Sequence, residues 1–397
     1  MSAIPRTDCL TALIVTFALA SCVTPADASS EKVVYAFQND IDGAGDGGLP
    51  SAGLVADTDG NLFGTTLGGG SAGEGTVFKI APDGSETILH SFTGGADGYV
   101  PEAGLIIDEA GNLYGTTTVG GLGGNNGTVF RIAPDGTETQ LYVFTGGSDG
   151  GKPMAGLITD GNGNLYGTTH SGGARNRGVV FKIAPDGTET VLHSFLGVRD
   201  GAFPQSGLIA DGEGNLYGTT PAGGPTDNGV VFKIAPDGTE TVLHRFAGGA
   251  DGSAPLGGLV ADGKGNLFGT TQFGGLNNCQ PGLGCGIVFR IAPDGKESVF
   301  YAFTGGKDGR QPSSRLIVDR RGNLYGTTLF GGQRNEGTVF KLSRGGSETI
   351  LHSFDHRLHR DGSYPSGPLL ADAGFRHLYG ETSQGGHRQG VVYVVRP

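Results

Sequence analysis

The sequence lacks an excess of basic residues. Its 397 residues include 27 Lys and Arg against 39 Asp and Glu, which gives a formal net charge of -12. Proteins that bind nucleic acids through many phosphate contacts need a dominant basic surface. The charge balance therefore excludes a general nucleic-acid binder, and no nucleic-acid partner is expected.

Long apolar runs are also scarce. One run of about eleven residues, Leu10 to Ala20, follows Arg6, and its length is typical of the core of a signal peptide rather than of a membrane span. No second run of spanning length follows. The sequence predicts that residues 1–28 are a signal peptide and that the mature chain, without a transmembrane helix, lies outside the cell or at a bacterial cell envelope.

Two processing sites are compatible with this leader. The segment Leu19 to Cys22 resembles a lipobox, after which Cys22 would be lipidated, whereas Ala26 to Ala28 fits the small-x-small pattern of ordinary signal peptidase. A lipid-anchored and a soluble secreted protein both remain open.

Only four cysteines occur, and Cys9 and Cys22 belong to the leader. The other two, Cys279 and Cys285, lie six positions apart in a glycine-rich segment. In an oxidising compartment such a pair favours a small disulfide over a reduced or metal-binding pair. This disulfide would close a loop and would not build the fold.

Glycine is abundant, with 78 Gly beside 19 Pro, which excludes a largely helical protein. The segment Gly111 to Thr117, with the sequence GNLYGTT, recurs along the chain. Its central glycine falls at Gly64, Gly115, Gly167, Gly218, Gly269, Gly326 and Gly380. A repeat of about 50 residues that carries several short strands is typical of a propeller.

Each repeat contains four strand-like runs separated by turn residues. In the second copy they are Gly104 to Asp108, Leu113 to Thr117, Gly127 to Ile132 and Gln140 to Phe144. The last copy ends after its third run, and the missing fourth run is matched by Val33 to Phe37 near the beginning of the chain. The sequence therefore predicts an all-β fold over residues 31–397. This fold is a seven-bladed propeller of four-stranded antiparallel blades, closed by the N-terminal strand and expected to be a monomer.

Residues that recur in every copy are interpreted as scaffold, because a residue used once for chemistry need not appear seven times. This applies to the aspartates of the first hairpin and to those of the Asp-Gly connections between blades. It also applies to the fourth-strand histidines, which other copies replace with tyrosine. These are His90, His193, His244 and His352, with Tyr35, Tyr142 and Tyr301 as their counterparts.

The loops that vary between copies are expected to share one face of the propeller. The positions where these loops depart most from the repeat cluster near blades six and seven. The candidate ligand-binding residues are Arg310, Arg334, His356, Arg357, His359, Arg360, His387 and Arg388. Their local positive field would suit an anionic ligand such as an acidic polysaccharide, or an envelope protein. The alternative is a solvated basic patch, since basic residues also occur in the loops of the opposite face.

An enzyme is the competing interpretation. A polysaccharide lyase would need a base such as His356, His359 or His387, and the same histidines could form a metal site. A glycosidase would need a carboxylate pair, which the repeated acids do not single out. Because no hydrolase, metalloprotease or phosphate-loop motif is present, we predict no catalytic residue, metal or cofactor.

The strings GNLYGTT, GTVFKIAPDG and TETVLHSF resemble those of the GloVer tandem-repeat proteins, an exported bacterial family. The resemblance covers residues 31–397, and its DxxGNLY portion is similar to the blade motif of NHL-type propellers. It implies a secreted or surface-attached propeller and carries over no catalytic residues. The sequence departs from the repeat at Glu381, which replaces the first Thr of the seventh motif.

Overall fold

The computed structural model describes residues 31–38, 45–276, 279, 283–357, 361–387 and 389–397. The predicted leader with Cys22, and the candidate residues His359, Arg360 and Arg388, lie outside these ranges. No helix in the described part of the chain is long and apolar enough to cross a membrane.

The described residues form seven antiparallel sheets, arranged as the blades of a β-propeller. The strands of blade 1 are β2 (Gly48–Pro50), β3 (Val55–Ala56), β4 (Leu62–Gly68), β5 (Thr76–Ile80) and β6 (Glu86–Ser91). Those of blade 2 are β7 (Ile106–Ile107), β8 (Leu113–Thr117), β9 (Thr128–Ile132) and β10 (Glu138–Val143). Those of blade 3 are β11 (Ile158–Thr159), β12 (Leu165–Thr169), β13 (Val179–Ile183) and β14 (Glu189–Ser194).

Blade 4 contains β15 (Ile209–Ala210), β16 (Leu216–Thr220), β17 (Val230–Ile234) and β18 (Glu240–Arg245). A short 3-10 helix, Gly249–Asp251, precedes blade 5, which contains β19 (Leu259–Ala261), β20 (Leu267–Thr271), β21 (Ile287–Ile291) and β22 (Glu297–Ala302). Blade 6 contains β23 (Ile317–Val318), β24 (Leu324–Thr328), β25 (Thr338–Leu342) and β26 (Glu348–Ser353). Blade 7 contains β27 (Gly362–Pro365), β28 (Leu370–Ala371), β29 (Leu378–Gly385), β30 (Val391–Val395) and β1 (Glu31–Ala36).

The N-terminal strand closes the ring, as the permuted repeat predicted. Strand β1 pairs antiparallel with β30, in a register that sets Glu31 opposite Val395 and Ala36 opposite Val391. This pairing supplies the fourth strand of blade 7 and covers an edge that would otherwise be free to pair with another chain. The predicted seven-bladed all-β architecture is confirmed.

The innermost strand of each blade is shorter than predicted. In blade 2 only Ile106 and Ile107 form it, and a single bridge joins Tyr99 to Val119 further along. In blades 1 and 7 the equivalent segment is a separate short strand, β2 or β27. The residues between the two pieces pass along the inner wall of the ring, and side-chain alternation alone does not predict this interruption.

The core lies between the blades and is built from aromatic rings at repeating positions. Phe144, at the end of one fourth strand, meets Phe181 of the next blade edge to face, with ring centroids 5.1 Å apart. Both side chains are fully buried. The glycine of each GNLYGTT segment leaves room for this packing, because a Cβ at Gly115 would lie 2.5 Å from the ring of Phe130.

Asp108 illustrates the aspartates at the first hairpin. Its Oδ1 accepts hydrogen bonds from the backbone amides of Ala110 and Asn112, and its Oδ2 accepts one from the hydroxyl of Tyr114. The same backbone contacts recur at Asp57, Asp160, Asp211, Asp262 and Asp319. These aspartates hold the turn, as an Asx motif does.

Cys279 and Cys285 are joined by a disulfide, with their Cα atoms 5.3 Å apart. Cys285 is fully buried and packs in one hydrophobic cluster with Phe303 and Leu316. The bridge therefore anchors a loop of blade 5 against the core at the boundary with blade 6.

Candidate ligand-binding face

Two sets of loops pack against each other on one side of the ring. In the loop between the second and third strands of blade 2, the amide of Gly121 donates a hydrogen bond of 3.1 Å to the carbonyl oxygen of Gly95, which lies in the connection from blade 1. The same contact joins Gly173 to Gly147 in the next repeat, over 2.8 Å. We call this side the long-loop face, and it carries those candidate binding residues that the structure describes.

Arg310 lies at the start of blade 6 on this face. Its guanidinium carbon lies 4.8 Å from the centroid of the Phe330 ring, a cation-π distance. Its Nη2 donates to Asn335 Oδ1 over 3.2 Å. Tyr364 of blade 7 packs edge-on against Phe330, with centroids 5.5 Å apart. Among the described residues no carboxylate lies within ion-pair distance of Arg310, so its charge is free to meet a ligand.

Arg334 already has a counter-ion. It donates from Nε to Asp355 Oδ2 over 3.1 Å, and 49% of the Arg334 side chain is exposed. Desolvation alone would raise the pKa of Asp355. The pKa nevertheless lies below its ordinary value, because the backbone amide of Arg357 and the side chain of Arg334 donate hydrogen bonds to the Asp355 carboxylate. Asp355 therefore stays ionised and reduces the positive field that the sequence predicted.

His356 also faces an acid. Its ring Nδ1 contacts Oε1 of the buried Glu336, and its backbone amide donates to Oε2 of the same residue over 2.6 Å. One carboxylate oxygen each of Glu336 and Asp355 and one ring nitrogen of His356 all lie within 4.8 Å of one another. His387 is exposed on the blade 7 loop, and no hydrogen bond or ion pair joins it to the described residues of this group.

A second arrangement of the same type occurs further round the long-loop face, between blades 3 and 4. The guanidinium carbon of Arg177 lies 4.8 Å from the centroid of the Phe203 ring. The His170 ring stacks on the same Phe203 ring, with ring centroids 5.0 Å apart. Phe203 has a φ of 58°, in the left-handed region that L residues rarely adopt. His170 and Arg177 lie in one loop of blade 3, and only the folded chain places Phe203 against both of them.

The centre of the ring contains a cavity of about 320 Å³ lined by residues from all seven blades. Among the described residues that line this cavity, two are charged, Glu102 and Arg315. Arg315 occupies a position where blades 1 to 5 have glycine, and its side chain runs past Gly258. Desolvation lowers the pKa of Arg315 and raises that of Glu102. Sequence reasoning missed this pair because the course of the inner wall was not predicted.

Glu381, which replaces the first Thr of the seventh GNLYGTT segment, is a buried acid. Its side chain is fully buried between blades 7 and 1, and its Oε2 accepts a hydrogen bond from Gly53 N over 2.8 Å. Its Oε1 has no hydrogen-bond partner. Desolvation raises the pKa of Glu381 to about 7. Burial therefore favours the protonated form of Glu381 far more than for an exposed glutamate.

Seven equivalent polar clusters join neighbouring blades near their outer edges. Each junction cluster consists of the fourth-strand His or Tyr of one blade, the Asp of the following connection, and the Glu that begins the fourth strand of the next blade. In one of them His244 Nε2 lies 3.1 Å from Asp251 Oδ1. The glutamates are Glu31, Glu86, Glu138, Glu189, Glu240, Glu297 and Glu348, and every one has a buried Oε1 without a hydrogen-bond partner.

Desolvation raises the pKa of all seven junction glutamates, and the Asp of the same cluster raises it further. The value reaches about 7 at Glu31, Glu86, Glu189, Glu297 and Glu348. Sequence reasoning interpreted the His and Asp residues as separate scaffold elements and overlooked the Glu. Its recurrence in all seven copies was the available signal.

Solved structures with similar folds come from proteins of different kinds. One is virginiamycin B lyase from Staphylococcus aureus, with 12% identity over 89% of this chain and 96% of that chain and a TM-score of 0.58. Another is a putative 6-phosphogluconolactonase from Bacteroides uniformis, with 18% identity over 82% and 89% of the two chains and a TM-score of 0.53.

A third similar structure is the extracellular domain of a putative hybrid two-component system from B. thetaiotaomicron. Its identity is 14%, over 90% of this chain and 39% of that one, with a TM-score of 0.60. Identities this low establish the propeller fold alone. Comparison with curated protein sequences gave no match.

The repeat itself is more informative than the fold. The family model of the Gloeobacter/Verrucomicrobia repeat matches three overlapping regions, residues 22–213, 121–283 and 209–397. Together these regions span all seven blades. The chain therefore belongs to the Gloeobacter/Verrucomicrobia repeat family.

Proposed function

We propose that this protein is an exported binding module that recognises an anionic polysaccharide on its long-loop face. The observation that carries the proposal is the arrangement of Arg310 over Phe330 with Tyr364 beside it. An aromatic ring can cover the apolar face of a sugar, and a guanidinium group without a counter-ion can pair with a carboxylate or sulfate.

The neighbouring groups refine the proposed site. Arg334 and His356 are compensated by Asp355 and Glu336, whereas Arg310 has no carboxylate partner among the described residues. This favours recognition of one anionic group per binding site, with aromatic contacts to the adjoining sugar. The proposed ligand is a uronate-containing or sulfated glycan, bound by the monomeric propeller of residues 31–397.

Replacing Arg310 with Gln tests the site. We expect about a 10-fold to 100-fold weaker affinity for a sulfated or uronate-rich polysaccharide, because a charge-assisted hydrogen bond is lost. The melting temperature should not change, since Arg310 makes no buried ion pair. Binding is measured by isothermal titration calorimetry at two salt concentrations, with heparin and polygalacturonate as probes.

The chain offers a matched control in Arg177, which stacks on Phe203 with the same geometry. Arg177→Gln should leave the affinity unchanged if blades 6 and 7 hold the ligand. Equal affinities of the Arg310→Gln and parent proteins would refute the proposed site.

Catalysis is the competing outcome of the same experiment. The His356 and Glu336 pair could serve a lyase, since an acid beside an imidazole can orient a general base. Unsaturated uronate products absorb ultraviolet light and would appear during incubation with polygalacturonate. Their formation by the parent, and its loss in His356→Ala, would replace the binding function with an enzymatic one.

We further propose export to the bacterial envelope or the medium, with Cys22 as the attachment point if the lipobox is used. Mass spectrometry of the mature N-terminus should find either a diacylated Cys22 or a chain that begins after Ala28. An N-terminus at Met1 in protein isolated from the native host would contradict both forms.

A further inference from the structure

We propose that two of the seven junction clusters, Glu31 with His352 and Asp361, and His244 with Asp251 and Glu297, bind divalent transition cations such as Zn²⁺. The proposal departs from the expectation that the chain holds no metal. Within each of these two clusters, one imidazole nitrogen and one oxygen from each carboxylate all lie within 4.8 Å of one another. Imidazole nitrogens and carboxylate oxygens are both ligands that zinc accepts, and three protein ligands leave a fourth position for water.

The spacing of the first two ligands already fits a bound ion. Tetrahedral Zn²⁺ with bonds of about 2.0–2.1 Å separates neighbouring ligand atoms by about 3.3 Å. His352 Nε2 lies 3.3 Å from Asp361 Oδ1, and His244 Nε2 lies 3.1 and 3.3 Å from the two oxygens of Asp251. Only the longer and more flexible Glu has to move inward to complete the three protein ligands.

Each Asp is held in place before an ion arrives. Asp361 accepts hydrogen bonds from the backbone amides of Asp355 and Gly362, both over 2.8 Å, and its side chain is 5% exposed. Asp251 accepts one from the amide of Ala247 over 2.6 Å. Backbone donors of this kind fix the orientation of a carboxylate and support metal ligands.

The Glu supplies an acceptor that the protein leaves unused. Oε1 of Glu31 and of Glu297 is buried and has no hydrogen-bond partner in the described structure. A buried polar atom without a partner is costly, and so is a pair of neighbouring carboxylates. A divalent cation would satisfy the oxygen and neutralise both acids, while the imidazole contributes a neutral nitrogen.

The other junction clusters differ in ways that provide internal controls. The three clusters with Tyr lack the imidazole, and desolvation together with Asp149 raises the pKa of the Tyr142 phenol, so that it stays protonated. In the clusters of His90 and His193, the imidazole nitrogen and the two carboxylates do not all lie within 4.8 Å of one another.

A third group also has one nitrogen or carboxylate oxygen of each residue within 4.8 Å of the others. It consists of Glu336, Asp355 and His356 on the long-loop face. We favour the junction clusters because both oxygens of Glu336 are already engaged by His356. In the junction clusters the acceptor is free. His356→Ala therefore distinguishes the two locations.

The proposed ions would link neighbouring blades. Glu31 lies on the closing strand β1, whereas His352 lies on β26 of blade 6. An ion held by both would tie the N-terminal strand to a second blade, in addition to its pairing with β30. The other site would tie blade 4 to blade 5 in the same way.

The repeat also supplies the substitution for the test. Tyr replaces His at this position in three blades, so His244→Tyr and His352→Tyr should fold normally. After treatment with EDTA, the protein is dialysed against micromolar Zn²⁺ and the bound metal is counted by mass spectrometry. We expect about two ions per chain in the parent. Each single variant should hold about one ion, and the double variant none.

Two further measurements separate coordination from loose association. Co²⁺ bound through one imidazole and two carboxylates should give visible absorption bands in the parent that the double variant lacks, and Zn²⁺ should raise only the parent's melting temperature. His193→Tyr and His356→Ala should retain both ions. The proposal is overturned if the parent binds no Zn²⁺, if the double variant keeps the parent's count, or if His356→Ala alone removes the metal.

Discussion

Phe37→Ala should destabilise the protein by about 3–5 kcal/mol, as expected for truncation of a fully buried aromatic side chain. Phe37 follows the closing strand, is fully buried, and meets Phe78 of blade 1 edge to face at 5.1 Å. Its backbone amide donates to Gly390 O over 3.1 Å. Chemical denaturation of parent and variant, monitored by tyrosine fluorescence, gives the change in unfolding free energy.

Phe195→Ala is the matched control for this prediction. Phe195 occupies the same position in blade 3, is equally buried, and meets Phe232 at 5.1 Å with the same edge-to-face geometry. If the ring is closed by β1, the two substitutions should cost similar amounts. A normal loss for Phe195→Ala together with no loss for Phe37→Ala would mean that the N-terminal strand is not part of the ring.

Glu381→Gln should make the protein more stable than the parent at pH 8 and not at pH 4.5. Burial raises the pKa of Glu381 from 4.5 to about 7, so the folded chain binds a proton that the unfolded chain has released over this interval. The free energy of unfolding therefore falls as pH rises from about 4.5 to 7, by about 3 kcal/mol for this fully buried group. Gln keeps the shape and the hydrogen-bond acceptor without the charge.

The measurement is the difference in unfolding free energy between variant and parent at several pH values. Taking the difference matters because the junction glutamates also weaken the fold as pH rises. Glu109→Gln, at an exposed hairpin, controls for the loss of one negative charge. Parallel pH profiles of the parent and Glu381→Gln proteins would contradict the prediction.

Much of the fold could be predicted because the repeat appears seven times with one strand out of place. Local physical causes underlie the GNLYGTT segment, the Asx hairpins and the unmatched N-terminal strand. In the GNLYGTT segment, for example, a Phe ring packs so close to the central glycine that a larger residue would not fit. The broken innermost strand was not predicted, although each copy carries a local signal for it. In every copy a proline, which cannot donate to a strand ladder, follows a residue with positive φ, such as Val100 before Pro101.

The candidate site was predicted less completely. Single-copy basic residues identified the long-loop face and Arg310, but the aromatic rings of Phe330 and Tyr364 come from two blades and meet only in the folded chain. The same holds for the acids that neutralise Arg334 and His356, which lie about twenty residues away in sequence. Charge counts along the sequence therefore do not reveal that Asp355 and Glu336 lie beside Arg334 and His356.

The sequence by itself determined the number of blades, their strand order and the way the ring closes, because these follow from periodic hydrophobicity and turn chemistry. Only the tertiary structure decided which polar groups meet across blades. Glu31 and His352 are separated by almost the whole chain, and so are Gly53 and Glu381. A closed ring places β1 in the last blade and sets blade 1 against blade 7, and desolvation in these contacts raises the pKa of Glu31 and of Glu381.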